Sequence, residues 1–308
     1  MSIRPVKQIT RARPTLEGAG VRLDRAFGFG KTQEFDPFLL LDDFRNERRE
    51  DYERGFPWHP HRGIETITYV LAGNVRHADS LGNAGTIGAG DVQWMTAGSG
   101  IIHQEMPQGE STGRMHGFQL WANLPAAKKM TAPRYQEIVA GEVPEVVEDD
   151  GTRARVICGA RWGARGPVAG IAADPSYVDV SVPPGKTRRI PVATARHAFA
   201  YVFEGDGRFA DASAPRGVPT EVVDGVTGVA AEAAPERVGN RSLVLFDRGD
   251  EVVVHAGEHG IRFLLVSGQP LREPVAWRGP IVMNTDAELR QAFAELDDGT
   301  FLERGRQR

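Results

Sequence analysis

Short runs in which apolar and polar residues alternate with period two recur along the chain. Glu65-Thr66-Ile67-Thr68-Tyr69-Val70-Leu71 is rich in β-branched side chains and ends at Ala72-Gly73-Asn74. Asp91-Val92-Gln93-Trp94-Met95 follows the turn Gly88-Ala89-Gly90, and His116-Gly117-Phe118-Gln119-Leu120-Trp121-Ala122 stops before Asn123-Leu124-Pro125. Further strands are expected at 154–158, 177–182, 198–203, 243–246, 251–255 and 261–266. Turn signals about every ten residues between such strands point to an all-β sandwich or barrel. One helix is expected near residue 290, with Asp286 as its cap and Leu289, Ala292, Phe293 and Leu296 on one face, stopping at Asp297-Asp298-Gly299.

The second half echoes the first. Tyr69-Val70-Leu71-Ala72-Gly73 resembles Tyr201-Val202-Phe203-Glu204-Gly205, and the same offset pairs Arg76 with Arg208, Ala78 with Ala210 and Asp79 with Asp211. Farther on, Gly90-Asp91 resembles Gly249-Asp250 and Gly100-Ile101 resembles Gly260-Ile261, so the second copy carries an insertion at roughly 212–240. That insertion, rich in Ala, Pro, Gly and Glu, reads as a surface excursion. The acidic stretch from Glu142 to Gly151 falls where the copies would join.

Composition narrows the class. Gly (36) and Pro (20) are together about 18% of the 308 residues, against roughly 12% in average usage, which suits many turns between short strands. The net charge of −4 gives no general attraction to nucleic acid or anionic lipid. Cys158 is the one cysteine, so an internal disulfide and a Cys-rich zinc module are excluded. No apolar run approaches the roughly 18 residues of a membrane span, and the start lacks the apolar stretch of a secretory signal. The default expectation is a cytoplasmic protein.

The densest chemistry lies in Phe56-Pro57-Trp58-His59-Pro60-His61-Arg62-Gly63-Ile64-Glu65. On an extended strand His59 and His61 share a face with α-carbons about 6.6 Å apart, and two such imidazoles can bind one metal ion. The same parity joins His103 and Glu105. Two strands facing each other across a barrel would then supply three imidazoles and a carboxylate, a set that suits iron, manganese, nickel, copper or zinc without choosing between them. Taken alone, a His-x-His is often a surface pair, and His103 with Glu105 could be a salt bridge; their joint presence in a β-rich half favours a metal. Glu65 shares the parity of His59 and His61, so spacing alone leaves Glu65 and Glu105 as alternative carboxylates. The echo places no matching ligand set in the second half, which implies one ion per chain. His197, His255 and His259 read as ordinary polar or packed histidines, and His77 and His116 as structural ones. Phe56, Trp58, Trp94, Met95 and Met106 are candidates for an apolar wall beside the ion or for plain core packing. Cys158 reads as a buried small hydrophobe, and the clusters Arg45–Arg49 and Arg304–Arg308 as solvated surface.

At this point the motifs resemble the pirin family, a bicupin branch of the cupin superfamily. The resemblance is carried by Asp36-Pro37-Phe38-Leu39-Leu40-Leu41-Asp42-Asp43-Phe44, by the segment from Phe56 to Thr66, by Gly90-Asp91-Val92-Gln93-Trp94-Met95-Thr96-Ala97-Gly98, and by Gly100-Ile101-Ile102-His103-Gln104-Glu105-Met106-Pro107. Gly268-Gln269-Pro270-Leu271-Arg272-Glu273-Pro274 and Gly279-Pro280-Ile281-Val282-Met283-Asn284-Thr285 extend it, so that it spans about residues 20–300. It implies two antiparallel β-barrel, or jelly-roll, domains: a metal-binding cupin at 1–140 and a degenerate cupin at 141–308 with the 212–240 insertion and a C-terminal helix. It implies His59, His61, His103 and Glu105 as ligands of one divalent ion, Fe2+ foremost among the metals above. It also implies a quercetin 2,3-dioxygenase activity on a flavonol and O2, with Glu105 as the catalytic proton acceptor. Some pirins act as regulatory partners of enzymes or transcription factors, so a metal- or redox-sensing protein working through protein partners is the alternative. A monomer making no direct contact with nucleic acid or membrane is expected.

Overall fold

The computed structural model describes residues 2–210 and 237–302. Most of the insertion at 212–240 and the basic run 304–308 lie outside the described residues. The first part of the chain forms β1 (Val6–Arg11), β2 (Arg13–Glu17), β3 (Val21–Phe27), α1 (Thr32–Phe35), β4 (Phe38–Asp43), β5 (Phe56–His61), β6 (Ile64–Ala72), β7 (Asn74–Asp79), β8 (Ala84–Ile87), β9 (Val92–Thr96), β10 (Ile101–Gln108), β11 (His116–Asn123) and β12 (Arg134–Ile138). The rest forms β13 (Glu145–Val147), β14 (Arg153–Cys158), β15 (Ala160–Arg161), β16 (Ala164–Arg165), β17 (Ser176–Val182), β18 (Thr187–Pro191), β19 (His197–Phe209), β20 (Arg237–Gly239), β21 (Ser242–Phe246), β22 (Glu251–Gly268), β23 (Ala276–Arg278), β24 (Ile281–Met283) and α2 (Asp286–Asp297).

These strands build two antiparallel barrels. In the first, a sheet ordered β12-β9-β6-β11-β4-β3-β2 faces a smaller sheet ordered β5-β10-β7-β8. The second is a nine-stranded sheet running β1-β21-β19-β22-β17-β14-β13, with β18 on β22 and β20 on β19. Alternation on β6 sorts its side chains: Ile67 and Tyr69 point to the other barrel, whereas Thr66 and Thr68 point into their own. A shared core made of Leu41, Ile67, Phe118 and Leu120 from one barrel and Tyr177, Phe199, Leu264 and Val266 from the other joins the two. The interior of the second barrel is filled by Val156, Val178, Val180, Val252, Val254 and other aliphatic residues, and among the described residues no cluster of potential metal ligands lies there.

The duplication shows in a reciprocal contact. The Tyr69 hydroxyl donates to Asp179 across the joint at 2.9 Å, and the echoing Tyr201 donates back to Asp43 at 3.0 Å. Arg262 grips Asp179 through two bonds, and Arg45 grips Asp43. Arg45 is therefore not the solvated residue that its cluster suggested: an ion pair with a fully buried carboxylate draws it into the joint.

The ends of the described chain cross between barrels. β1 pairs with β21 in the second barrel. Residues 276–301 return to the first, where β24 and α2 pack around Ile281, Met283, Leu289, Ala292 and Phe301. Two expectations change at element level. The strands expected at 251–255 and 261–266 are one strand, β22, which bends at Gly260 in the left-handed region (φ +80°) and exchanges partners there, from β18 to β17. The cap of α2 is Thr285 rather than Asp286: its hydroxyl accepts from the Glu288 amide while the Glu288 carboxylate accepts from the Thr285 amide.

Candidate metal centre

The three histidines meet through neighbouring strands, not opposite ones. β5 and β10 pair antiparallel within the smaller sheet, with His59 directly opposite His103 and His61 opposite Ile101. The expectation of two strands facing each other across the barrel is thereby corrected. Directly opposed residues on adjacent strands bring their side chains close on one face, so three imidazoles fit without spanning the cavity. Their ligating atoms all lie within 4.8 Å of one another.

Hydrogen bonding fixes what these rings present. His59 Nδ1 is 2.8 Å from the Pro57 carbonyl and His61 Nδ1 is 3.0 Å from the Pro280 carbonyl. A carbonyl only accepts, so each Nδ1 carries its proton and each Nε2 is left as a lone pair. The two Nε2 atoms nevertheless face each other at 3.1 Å, and the buried His103 Nε2 has no hydrogen-bond partner. Facing lone pairs with no proton between them are what a cation would join. Two nitrogens each about 2.1 Å from one ion and at right angles would stand about 3 Å apart. Burial favours the neutral rings that metal binding needs: it holds His61 down to about 3, with His59 adding to the effect, and lowers His59 and His103 as well. The residues fit a divalent ion held by imidazole.

The loop behind these ligands is held by the segment that crosses back from the second half. The Pro280 carbonyl fixes the tautomer of His61. The Arg62 guanidinium is buried, donating to Ser99 O, to Glu295 at 2.7 Å and to Phe301 O, and lies over the Phe301 ring. The Lys129 ammonium donates to Gly63 O, Asn123 and Val282 O, matching its three N–H groups to three acceptors. Gly63 has φ +78°, and a Cβ there would lie 1.9 Å from Val282 O, so only glycine lets the strap approach.

The two carboxylates divide. Glu65 lies opposite Thr96 and Ala122, on the face turned to the second barrel, where it accepts from Thr96 at 2.8 Å. It points away from the histidines, which removes it as the alternative ligand. Glu105 is buried in the first barrel and lines the same cavity as His59 and His61. It stands outside the cluster of three imidazoles, with Oε1 3.1 Å from the Thr68 hydroxyl. Burial raises Glu105 to about 7, against the opposing pull of Thr68.

The cavity measures about 430 Å³ and is lined by Leu23, Leu40, Phe44, Phe56, Val75 and Trp121 besides its polar groups. That volume lies within the roughly 300–1,000 Å³ of small-molecule sites. Of the five wall candidates, Phe56 alone lines this cavity; Trp94 points into the joint between barrels, and Trp58 is 54% exposed. The Trp121 ring meets His61 edge-on at 5.1 Å and leads outward through Trp277 to Phe29. Spacing missed Leu23, Leu40, Phe44, Val75 and Trp121 because they come from β3, β4 and the residue after it, β7 and β11, whose adjacency is a matter of register. The other histidines are placed structurally: His77 bonds Tyr135 at 2.6 Å, His116 sits beside Asp43, and His255 is exposed against Thr187. Cys158 is buried.

Two face-to-face cupin barrels, one holding an imidazole cluster and the other filled with aliphatic side chains, define a bicupin with one candidate metal centre among the described residues. The chain belongs to the pirin family: residues 20–122 match the family model described as Pirin, and residues 177–302 match the Pirin C-terminal cupin domain. A pirin-like protein of Caulobacter vibrioides is 45% identical over 302 residues, covering 98% of this chain and all of the relative. The crystal structure of a quercetin 2,3-dioxygenase from Acinetobacter baumannii superposes with a TM-score of 0.81 at 30% identity, covering 98% of this chain and 99% of that one. A bacterial pirin from Escherichia coli in complex with nickel(II) shares the fold, with a TM-score of 0.61 at 21% identity, covering 85% of this chain and 99% of that one. Among the described residues no helix is long and apolar enough to cross a membrane.

Proposed function

We propose that this chain is a metal-dependent dioxygenase that cleaves flavonols with O2, with Fe2+ as the working ion. The observation that carries the reading is the convergence of two unprotonated Nε2 atoms, those of His59 and His61, with the buried and unpartnered Nε2 of His103, beside a largely apolar cavity that also holds a buried carboxylate. His59, His61 and His103 would hold the ion, with Glu105 as the fourth ligand that the family pattern implies. Bound there, the ion would acidify a chelating hydroxyl and supply open positions for substrate and dioxygen.

The remaining work falls to side chains. A carboxylate lining the cavity is the group that would accept a proton from the 3-hydroxyl of a flavonol, and Glu105, whose affinity for a proton burial raises, is that group. The Thr68 hydroxyl, with one proton to give, lies 3.1 Å from one of the Glu105 oxygens and 2.6 Å from the Gln119 amide oxygen. Leu40, Phe56 and Trp121 offer flat apolar walls to an aromatic ring system and keep water from its anion. The test is metal analysis of protein loaded anaerobically with ferrous salt, then quercetin turnover under oxygen. One ion per chain and oxygen-dependent loss of flavonol absorbance are expected, both abolished in His61→Ala. Metal-replete protein that leaves quercetin untouched under air would overturn the reading.

A further inference from the structure

A polar row crosses the wall opposite the histidines. Register sets Glu137 opposite Gln93, Gln93 opposite Thr68, Thr68 opposite Gln119, Gln119 opposite Asp42, and Asp42 opposite Arg25, across β12, β9, β6, β11, β4 and β3. Opposed residues share a face, and Thr68, Gln119, Asp42 and Arg25 all line the cavity. The rows on either side are apolar there, with Trp121 and Leu40 to one side and Phe44 and Leu23 to the other. At one end the Thr68 hydroxyl lies 2.6 Å from the Gln119 amide oxygen and 3.1 Å from Glu105. At the other, Arg25 is anchored through Nε and Nη2 on Asp42 at 2.8 and 2.7 Å and reaches Glu17 at 2.9 Å. Its Nη1 has no partner among the described residues.

Packing does not require this row. A buried ion pair contributes little to stability beyond what apolar residues of like volume would give, and the neighbouring rows are apolar already. The three strand spacings from Thr68 to Arg25 come to about 14 Å, a span commensurate with a planar three-ring molecule. Building on the dioxygenase reading, we infer that Gln119, Asp42 and Arg25 read the hydroxyl groups that a flavonol carries on the rings remote from its chelating 3-hydroxyl. Asp42 and Gln119 accept from these hydroxyls, and Arg25 Nη1 donates to their oxygens. Arg25 is thus a specificity-determining residue, selecting oxygenated flavonols over unsubstituted ones.

The test compares quercetin with 3-hydroxyflavone, which keeps the chelating pair and lacks the remote hydroxyls. KM and kcat are measured on iron-loaded protein, and affinity is measured on metal-stripped protein by quenching of tryptophan fluorescence. The double variant Arg25→Leu with Asp42→Leu removes the pair without leaving a lone charge, and Gln119→Leu probes the row without touching an ion pair should the double variant fail to fold. In each variant the KM and dissociation constant for quercetin should rise about tenfold, the worth of roughly one charge-assisted hydrogen bond, while the KM and dissociation constant for 3-hydroxyflavone stay within about twofold. A parallel loss for both flavonols, or no change for either, overturns the inference and leaves the dioxygenase reading standing. Wild-type iron-loaded protein that turns over neither flavonol overturns the reading, and the inference with it.

Discussion

His59 and His61 each spend their only proton on a carbonyl, so their facing nitrogens repel until a cation joins them. Replacing His103 with Ala should lower the metal content of purified protein roughly tenfold or more. Glu65→Gln should leave that content unchanged, because Glu65 faces the other barrel; equal loss in both variants would refute the assignment. His116 gives a second test. Burial lowers it to about 4, whereas in the unfolded chain it titrates near 6.5. The unfolded state takes up the proton first, so stability is lost as pH falls from 6.5 toward 4, by up to ~3 kcal/mol. Tm against pH for metal-stripped wild type and His116→Asn should show a shallower acid limb in the variant, and superimposable limbs would count against this account. At this scale the sequence exposed His59, His61, His103 and Glu105, because period-two parity is written in one strand at a time. It hid Arg25, Asp42 and Gln119, which become a row only when β3 and β4 pair as neighbours and β11, far along the chain, pairs with β4.

The elements that hold the site are the loop after β5 and the segment from β23 to α2. Their junction is the buried pair Arg62–Glu295. Glu295→Ala removes the buried carboxylate to which Arg62 donates and should cost about 3–5 kcal/mol in chemical denaturation. Metal affinity should fall with it, because the loop that follows His61 at the end of β5 loses its brace; a variant of unchanged stability and affinity would show that the brace is idle. Alternation revealed β6, β9 and β11, where one face is polar. It was silent on β4, whose run Phe38-Leu39-Leu40-Leu41-Asp42-Asp43 is buried throughout and puts apolar residues on both faces, so that no period-two contrast appears. Gly260 looked like an interruption, but a left-handed glycine let β22 bend without ending.

At the scale of the whole molecule, the duplication legible in the offset of Tyr69 from Tyr201 reappears as the reciprocal Tyr–Asp bonds of the joint. The crossing of β1 and of residues 276–301 was not legible, because each is a short segment whose partner lies more than half the chain away. That crossing makes each barrel depend on the other half. Residues 1–150 expressed alone should bind no ion stoichiometrically and unfold without cooperativity, and co-expression with residues 151–308 should restore both properties. An isolated first half with full metal affinity would show the crossing to be dispensable.

Because Pro280, Val282 and Glu295 brace a loop at residues 61–63, the order of synthesis matters. A nascent polypeptide leaving the ribosome displays its imidazoles long before their brace exists. An ion at this site would be captured late in biogenesis, and prematurely terminated products would leave the cellular metal pool untouched.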